Sequence, residues 1–419
     1  MNPFLSRRRW MQAGPGALAL SSLTAVAQQQ ESAPPSLKLK KDFAPSEKES
    51  SDPPVPTPPS ERVGFAVVGI GRLSLEQILP AFGECKHARL AALVSGTPDK
   101  LKATAAHYGV PEKNLYSYET YDRLRDNPEV QVIYVVLPNF LHREYTVRGA
   151  QAGKHILCEK PMATTVGECE EMIAACRGAN RKLMIAYRMQ YEPYNREIIR
   201  MARAAELGAL KSFLSENCQA QGDPTQWRLK KAMAGGGSLP DIGLYCLNAS
   251  RYITGEEPIG VISHSYSTPG DPRFREVEEA VAFTLQFPSG VVASCFTSYG
   301  AHKSSRYRVD FAEGWIDLDP AYPYQGQRMR VAKKASAQAE EIAERQLEHK
   351  NQFALEMDHM AQCVHQNKQP HTPGEEGLQD QRLMAAIYNS AREGKTVKLP
   401  PVTAKDAFRG PAPDEQKGS

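Results

Sequence analysis

Three side chains suited to proton transfer lie in segments of the chain that would hold them still. Lys160 ends the apolar run 155–159, and Pro161 follows it directly. A buried β-ladder cannot continue through proline, and the residue before proline favours an extended backbone. We therefore expect Lys160 at the carboxyl edge of a sheet, where open α/β folds bind their ligands. The same ending also marks ordinary sheet edges.

Asp241 and Tyr245 follow a glycine-rich loop at 235–237 and are predicted to lie on one helix. Their spacing of four residues places both side chains on the same helical face. Glycines allow the backbone to approach a ligand closely, and a carboxylate beside a phenol can handle protons. Taken alone, the segment fits better with a surface helix whose tyrosine is half buried, since tyrosines commonly are.

An apolar run at 63–68 leads into a glycine-containing turn and then into helical spacing. The turn residues expected to contact a ligand are Gly69, Ile70, Gly71, Arg72 and Leu73. Gly69 permits the tight turn, Gly71 admits a pyrophosphate close to the backbone, and the helix N-terminus offers unpaired N–H groups. Ser74 stands where a third glycine is common and is small enough for the helix to pack on the strand. This pattern predicts a dinucleotide-binding turn.

The choice of dinucleotide depends on the end of the second strand, 90–94. An NAD-specific site usually carries Asp or Glu there to bind the ribose 2′-hydroxyl, but this chain has Ser95. Ser95 can donate a hydrogen bond, and Lys100 supplies positive charge one turn later, so both favour the 2′-phosphate of NADP. The alternative is that both are ordinary loop and helix-surface residues.

Strands and helices alternate from Val63 to Tyr187, which predicts an α/β, doubly wound parallel (Rossmann) sheet. Further strands are expected at 130–137, 154–159 and 182–187, with a helix at 164–180. After Arg188 the pattern changes to an α+β domain built on a large, mostly antiparallel sheet. Its expected strands are 260–267, 280–287, 291–298 and 307–318, with helices at 192–206, 337–366 and 374–392.

The predicted domains are a twin-arginine signal peptide (1–27), a Pro-rich arm (28–61), the Rossmann domain (62–187), an α+β substrate and oligomerisation domain (188–400) and a tail (401–419). The signal is indicated by Arg8-Arg9, an apolar run at 17–26 and Ala25-Val26-Ala27, so we expect export to the periplasm. The arm is either a disordered spacer or an extended segment lying across a neighbouring subunit.

Composition limits the possible partners. With 41% hydrophobic residues among 419, the chain can bury two cores. Lys+Arg 51 against Asp+Glu 48 is nearly balanced, which makes nucleic acid an unfavourable partner and a small molecule the expected ligand. The eight cysteines form no C-x-x-C pairs and are predicted to pack as thiols. We expect no metal site, because the histidines lack metal-ligand spacing. We also expect no stable membrane anchor.

Several motifs together resemble the glucose–fructose oxidoreductase, inositol dehydrogenase and MocA (Gfo/Idh/MocA) family. They are the G-x-G turn, Glu159-Lys160-Pro161, the Gly-Gly-Gly-Ser and Asp-x-Gly-x-Tyr segment, Leu137-Pro138-Asn139, Tyr187-Arg188, Gln226-Trp227-Arg228 and Gly374-Glu375-Glu376-Gly377. The resemblance implies a homotetramer with tightly bound NADP. Such an enzyme oxidises an aldose to its lactone and reduces a second sugar in the same site.

The resemblance also implies residue roles. Lys160 and Tyr245 would be the catalytic pair with Asp241 as their partner, because a nearby ammonium favours the phenolate form of tyrosine. Ser95, Lys100 and Tyr118 would surround the 2′-phosphate. Further cofactor contacts would come from Leu137, Pro138, Asn139, His142, Glu159, Lys160, Arg188, Trp227, Arg228 and Tyr324. Gln190 and Cys246 depart from the family pattern beside the expected sugar pocket and leave the preferred sugar open.

Other functions within the family remain open at this point. An aldose dehydrogenase or an aldose–aldose oxidoreductase would use the same residues on other sugars. A nucleotide-binding regulator would not need Lys160 and Tyr245 together. A glycosidase that uses bound NAD transiently would release no net oxidised product.

Deletion of residues 28–58 tests the role of the arm. Prolines restrict the chain before docking, so an arm that covers the nucleotide of a neighbour loses little entropy on binding. We expect the truncated protein to lose nucleotide on dialysis and to form smaller oligomers, as measured by absorbance and light scattering, with unchanged circular dichroism. A truncated protein that stays tetrameric and retains its nucleotide would identify the arm as a spacer.

Overall fold

The computed structural model describes residues 62–336 and 338–413. The predicted signal peptide (1–27), the predicted arm (28–61) and the end of the predicted tail lie outside the described residues. Within them, no helix is long and apolar enough to cross a membrane. All eight cysteines fall in the described part, and no disulfide joins any of them.

The first sheet is parallel throughout, which confirms the predicted doubly wound class. Its strands are β1 Val63–Val68, β2 Ala88–Val94, β3 Leu115–Tyr116, β4 Val132–Val135, β5 His155–Glu159 and β6 Leu183–Ala186. They lie in the order β3-β2-β1-β4-β5-β6, so the chain reverses direction across the sheet between β1 and β4. Ligands bind outside the carboxyl ends of the strands at such a switch point.

Helices connect these strands and then support the second domain. They are α1 Leu79–Ala81, α2 Pro98–Tyr108, α3 His142–Gln151, α4 Val166–Gly178, α5 Pro193–Arg203, α6 Lys231–Ala234, α7 Leu244–Thr254, α8 Gln352–His365 and α9 Gly374–Glu393. The expected start of α4 is confirmed, because the Thr165 side chain accepts from the Glu168 backbone N–H and Glu168 reaches back in a capping box.

The second sheet is large and mostly antiparallel, as predicted. Its strands are β7 Leu210–Cys218, β8 Gly260–Tyr266, β9 Ala280–Gln286, β10 Val292–Ser298, β11 Ser304–Phe311, β12 Gly314–Leu318, β13 Met329–Lys334, β14 Glu340–Arg345 and β15 Val397–Lys398. Their order is β14-β13-β12-β11-β7-β10-β9-β8-β15, and β7 and β10 are the parallel neighbours. One face packs on helices α7 and α9. The other exposes apolar side chains, among them Leu214, Ile262, Val292 and Phe296.

The predicted helix at 337–366 is wrong in its first half. Strand β14 occupies Glu340–Arg345 and pairs with β13, and α8 begins only at Gln352. The charged residues, Ala and Ile in this stretch also fit helical spacing. They form a strand because β13 would otherwise leave its backbone groups unpaired at the edge of the sheet, and β14 pairs with them.

Helix α8 returns to the Rossmann domain, although it lies within the stretch 188–400 assigned to the second domain. Phe353, Met357 and Met360 are buried against strands β1, β2 and β4. The carboxylate of Asp358 accepts hydrogen bonds from the backbone N–H groups of residues 86, 87 and 88 at 2.7, 2.7 and 2.9 Å. The start of β2 is therefore held by a side chain from a distant part of the sequence.

Asp358→Ala removes these acceptors and leaves three backbone N–H groups without them. We expect the free energy of unfolding to fall by about 3 kcal/mol, the scale of hydrogen bonds to a charged group. Chemical denaturation followed by circular dichroism measures the change. Glu112→Ala, at an exposed site, is the control and should stay within about 0.5 kcal/mol of the parent protein. Equal stability of the two variants would contradict this role.

Candidate active site

The structure brings Lys160, Asp241 and Tyr245 together at the carboxyl edge of the Rossmann sheet. Lys160 directly follows β5, and its Nζ donates to the backbone oxygen of Asp241 at 2.8 Å. The same nitrogen lies 3.5 Å from the Asp241 carboxylate and 4.4 Å from the centre of the Tyr245 ring. Asp241 belongs to a π-helical turn, Leu239–Gly243, that continues into α7 and Tyr245. Such turns are frequent at functional sites.

The hydroxyl of Tyr245 is bound by Arg188, not by Lys160. Arg188 Nη2 donates to the Tyr245 hydroxyl oxygen at 2.9 Å, whereas Lys160 lies over the face of the ring. Arg188 was predicted only as a cofactor contact. Its position just after β6 is the signal that could have identified it, because β6 ends at the same sheet edge as β5. Tyr245 thus has two cations beside it.

Arg188 is buried and its orientation is set by several partners. It donates to the side-chain oxygen of Gln352 and to the backbone oxygen of Tyr322, the latter at 2.8 Å. Its guanidinium lies 4.7 Å from the ring centre of Tyr324, which places Tyr324 beside the site as expected. These contacts fix the guanidinium in one plane, and its Nη2 is directed at Tyr245.

Asp241 holds two cations in place. Tyr299 donates to its Oδ2 at 2.6 Å, and Arg228 Nε lies 3.3 Å from the same oxygen. The Arg228 guanidinium stacks 4.6 Å above the ring of Trp227, so these two predicted residues reach the site together. Burial raises the pKa of the Asp241 carboxyl, but Arg228 and Lys160 outweigh it and the pKa is lowered. Asp241 therefore stays ionised and anchors Lys160.

Glu278 holds the glycine loop before Asp241, and it was not among the predicted site residues. Its carboxylate accepts from the backbone N–H groups of Gly237 and Leu239 at 2.9 and 3.1 Å. A Cβ on Gly237 would lie 2.0 Å from the backbone oxygen of Glu278, so only glycine fits there. No local pattern signals this pairing, because Glu278 lies 41 residues away in sequence.

The predicted dinucleotide turn has the required shape. Gly69 has φ +95°, and a Cβ there would lie 2.2 Å from the backbone oxygen of Val136. A Cβ on Gly71 would meet nothing within 4 Å, so that residue borders open space in which a pyrophosphate can approach the backbone. Ser74 is fully buried and donates to the Gly69 carbonyl at 2.5 Å. Ile70 is buried behind this turn, whereas Arg72 pairs with Glu76 at 3.0 Å.

The residues expected at the 2′-phosphate lie next to one another. Ser95 follows β2, and its hydroxyl accepts from the Thr97 backbone N–H at 3.2 Å. A Cβ on Gly96 would lie 3.0 Å from the ring of Tyr118, so Tyr118 packs against this turn. Lys100 lies in the first turn of α2, where backbone N–H groups are unpaired. Serine, lysine and tyrosine with a helix N-terminus fit a phosphate better than a bare ribose hydroxyl.

Other predicted cofactor residues contact protein groups with their side chains. Asn139 is buried and donates to the Ala234 carbonyl at 2.9 Å. The ring nitrogens of His142 lie 2.9 and 2.8 Å from the carbonyls of Pro161 and Leu137, and burial lowers the pKa of His142 despite those carbonyls. Both side chains thus position strand-end loops, and their contact with a cofactor stays a prediction.

Gln190 and Cys246 are fully buried behind the α7 face that carries Tyr245. Gln190 donates to the side-chain oxygens of Asn248 and Glu376 at 2.9 and 3.1 Å. These contacts place Gln190 in a buried polar network, so its influence on a sugar would pass through α7. Among the residues that the structure describes, no group of three or more His, Cys, Asp or Glu side chains could hold a metal ion.

Models of one protein family match both domains of the chain. Residues 63–187 match the model of an oxidoreductase family with an NAD-binding Rossmann fold, and residues 202–399 match the C-terminal alpha/beta domain of the same family. The crystal structure of aldose-aldose oxidoreductase from Caulobacter crescentus, complexed with glycerol, is 49% identical, with a TM-score of 0.78 over 81% of this chain and 100% of that one.

Curated relatives give the same assignment. D-xylose 1-dehydrogenase [NADP(+)] from Haloarcula marismortui is 31% identical over 80% of this chain and 93% of its own length. D-xylose 1-dehydrogenase (NADP(+)) 2 from Haloferax volcanii is 26% identical over 80% of this chain and 99% of its own length. The expected enzyme class and NADP cofactor are confirmed, and the chain belongs to the Gfo/Idh/MocA oxidoreductase family.

Proposed function

We propose that the protein is an NADP-dependent sugar oxidoreductase that oxidises an aldose to its lactone and reduces a second sugar with the same NADP. The observation that carries the proposal is the convergence of Lys160, Arg188 and Tyr245 at the edge of the dinucleotide-binding sheet. The names of the relatives support an aldose substrate and NADP. One relative is named an aldose-aldose oxidoreductase, and two are named D-xylose 1-dehydrogenases with NADP(+).

Each residue has a defined task in this reaction. Bound NADP would supply the hydride chemistry, with acceptance from C1 of the first sugar and donation to the second, and the turn at 69–73 with Ser95 and Lys100 would hold it. Tyr245 takes the proton of the anomeric hydroxyl and later returns a proton to the carbonyl oxygen of the acceptor. Lys160 over the ring and Arg188 at the hydroxyl place two positive charges beside Tyr245. Asp241 keeps Lys160 at the ring.

Two acceptors are candidates. A fructose-like ketose would give sorbitol, whereas the likeness to an aldose-aldose oxidoreductase favours a second aldose. Purified protein should be incubated without added nucleotide with glucose and fructose, with glucose and xylose, or with glucose alone. Formation of gluconolactone together with an equal amount of sorbitol or xylitol supports the proposal. Sorbitol formed only when fructose is present selects a ketose acceptor, whereas xylitol, or sorbitol from glucose alone, selects an aldose. No oxidised product in any mixture would favour a regulator or a glycosidase.

Export and assembly belong to the same proposal. The twin-arginine segment supports a periplasmic enzyme, which would need to retain its NADP where the nucleotide is not made. The exposed apolar side chains on the open face of the second sheet support assembly, with Leu214 47% and Val292 41% exposed. We propose a homotetramer in which this face is covered.

Ser95→Asp should shift the nucleotide preference from NADP toward NAD. A carboxylate at the end of β2 repels a 2′-phosphate and accepts from a free 2′-hydroxyl. Binding constants for both nucleotides, measured by calorimetry on protein stripped of nucleotide, give the ratio. Ser289→Asp lies in the exposed turn between β9 and β10. It introduces the same charge far from the end of β2 and should leave the ratio unchanged. An unchanged ratio in Ser95→Asp would remove Ser95 from the site.

Lys160→Met and Tyr245→Phe should each retain nucleotide but slow hydride transfer by about a hundredfold or more, the scale for loss of a positioned acid–base group. Stopped-flow absorbance of bound NADP after addition of glucose measures the rate. Tyr266→Phe, on β8 and 58% exposed, is the matched control and should react as the parent protein does. Normal sugar-dependent reduction in Tyr245→Phe would end the assignment of Tyr245.

A further inference from the structure

A chain of three buried polar side chains lies directly behind Lys160. The Tyr134 hydroxyl is 2.7 Å from Glu159 Oε1 and 3.0 Å from Glu356 Oε1. Glu159 is the last residue of β5, Tyr134 lies on β4 and Glu356 comes from α8. Tyr134 and Glu356 are fully buried, and Glu159 is 8% exposed.

Counting hydrogens shows that this cluster must hold a proton. The single hydrogen of the Tyr134 hydroxyl can serve only one of its two carboxyl neighbours. If both carboxyls were ionised, the other contact would bring two oxygens together without a hydrogen between them, away from water. One carboxylic acid that donates to Tyr134, while Tyr134 donates to the other carboxylate, satisfies both contacts.

Glu356 is the acid that keeps the proton. Its second oxygen, Oε2, is buried and has no hydrogen-bond partner in the described residues, which would be costly for a full negative charge. Burial raises the pKa of Glu356 well above its ordinary value, and the nearby Glu159 raises it further. Burial also raises the pKa of Glu159. Tyr134 and Arg188 lower the pKa of both carboxyls, and Lys160 lowers that of Glu159 in addition. The negative charge therefore rests on Glu159.

We propose that Glu159 is a positioning residue whose carboxylate balances the charges of Lys160 and Arg188, and that Glu356 stays neutral and holds Tyr134 toward it. This inference rests on the proposed role of Tyr245 as the acid–base group. Without the Glu159 charge, Lys160 would keep its Asp241 carboxylate, but the positive charge of Arg188 at the Tyr245 hydroxyl would be less balanced. That excess positive charge would disturb the balance between proton uptake by Tyr245 from the first sugar and proton return to the acceptor.

Helix α8 joins the cluster to Tyr245. Gln352 and Glu356 are four residues apart on α8, so one helical face carries both the amide that binds Arg188 and the acid that faces Tyr134. The other ionisable groups near these carboxyls are Cys158 on β5, Lys160 after β5, Arg188 after β6 and Tyr191 in the turn that follows.

Matched isosteric variants test the proposal. In Glu159→Gln we expect the acid limb of the pH profile for sugar oxidation to move down by about one unit, because a nearby negative charge is lost. Glu356→Gln copies the neutral state of the acid, so its limb should stay within about 0.3 unit of the parent protein. Equal shifts in both variants, or no shift in Glu159→Gln, would overturn the proposal.

Infrared spectroscopy gives a readout that needs no activity. At neutral pH the difference spectrum of parent minus Glu356→Gln should show the absorption of a protonated carboxylic acid, and parent minus Glu159→Gln should show that of a carboxylate. The opposite pattern would overturn the assignment of the proton to Glu356. Circular dichroism confirms that both variants are folded.

The two proposals fail in different ways. If Tyr245→Phe keeps normal hydride transfer, the proposed function loses its acid–base group, yet the infrared assignment of the buried proton stands. If Tyr245→Phe is inactive while the acid limb of Glu159→Gln is unchanged, the proposed function stands and the positioning role of Glu159 is wrong.

Discussion

The hydrogen bond from the Arg188 guanidinium to the Tyr245 hydroxyl is the interaction on which the site depends. A buried guanidinium is costly unless its charge and its hydrogens are satisfied. Arg188 meets this need with Gln352, the Tyr322 carbonyl and the aromatic face of Tyr324. Because these partners come from separate parts of the second half of the chain, the site is complete only when both domains are folded against each other.

Helix α8 gives this arrangement its rigidity. It packs with Met357 in the core of the Rossmann domain, binds the start of β2 through Asp358 and presents Gln352 to Arg188. A displacement of α8 would therefore disturb the nucleotide-binding sheet and the Tyr245 hydroxyl together. The same helix supplies Glu356, so the charge balance behind Lys160 is also tied to its position.

A second buried network supports the helix that carries Tyr245. Arg251 on α7 is fully buried and pairs with Glu257, Glu376 and Asp380 at 2.8, 2.8 and 2.6 Å. Loss of Arg251 would leave its three carboxyl partners without their central cation, which is strongly destabilising. Arg409 also lies in this network, 3.6 Å from Glu376, although its segment was predicted only as a tail. The network holds α7 against α9 and so keeps Tyr245 at the sheet edge.

Most strands and helices of this protein can be predicted from signals that lie close together in the sequence. The period of apolar residues, the glycine turn at Gly69 and the proline after Lys160 are signals within a few residues, and they predicted both sheets and the edge where Lys160 lies. These signals failed at 337–366, because residues 340–345 also fit helical spacing and become a strand only by pairing with β13.

The contacts between side chains far apart in the sequence depend on tertiary packing. Arg188 and Tyr245 are 57 residues apart, and Tyr134 and Glu356 are 222 residues apart. No spacing rule connects such residues, since their contact follows from how strands are ordered and where α8 returns. The charge balance at the site is a property of that packing, because burial and neighbouring charges exist only once the chain is folded.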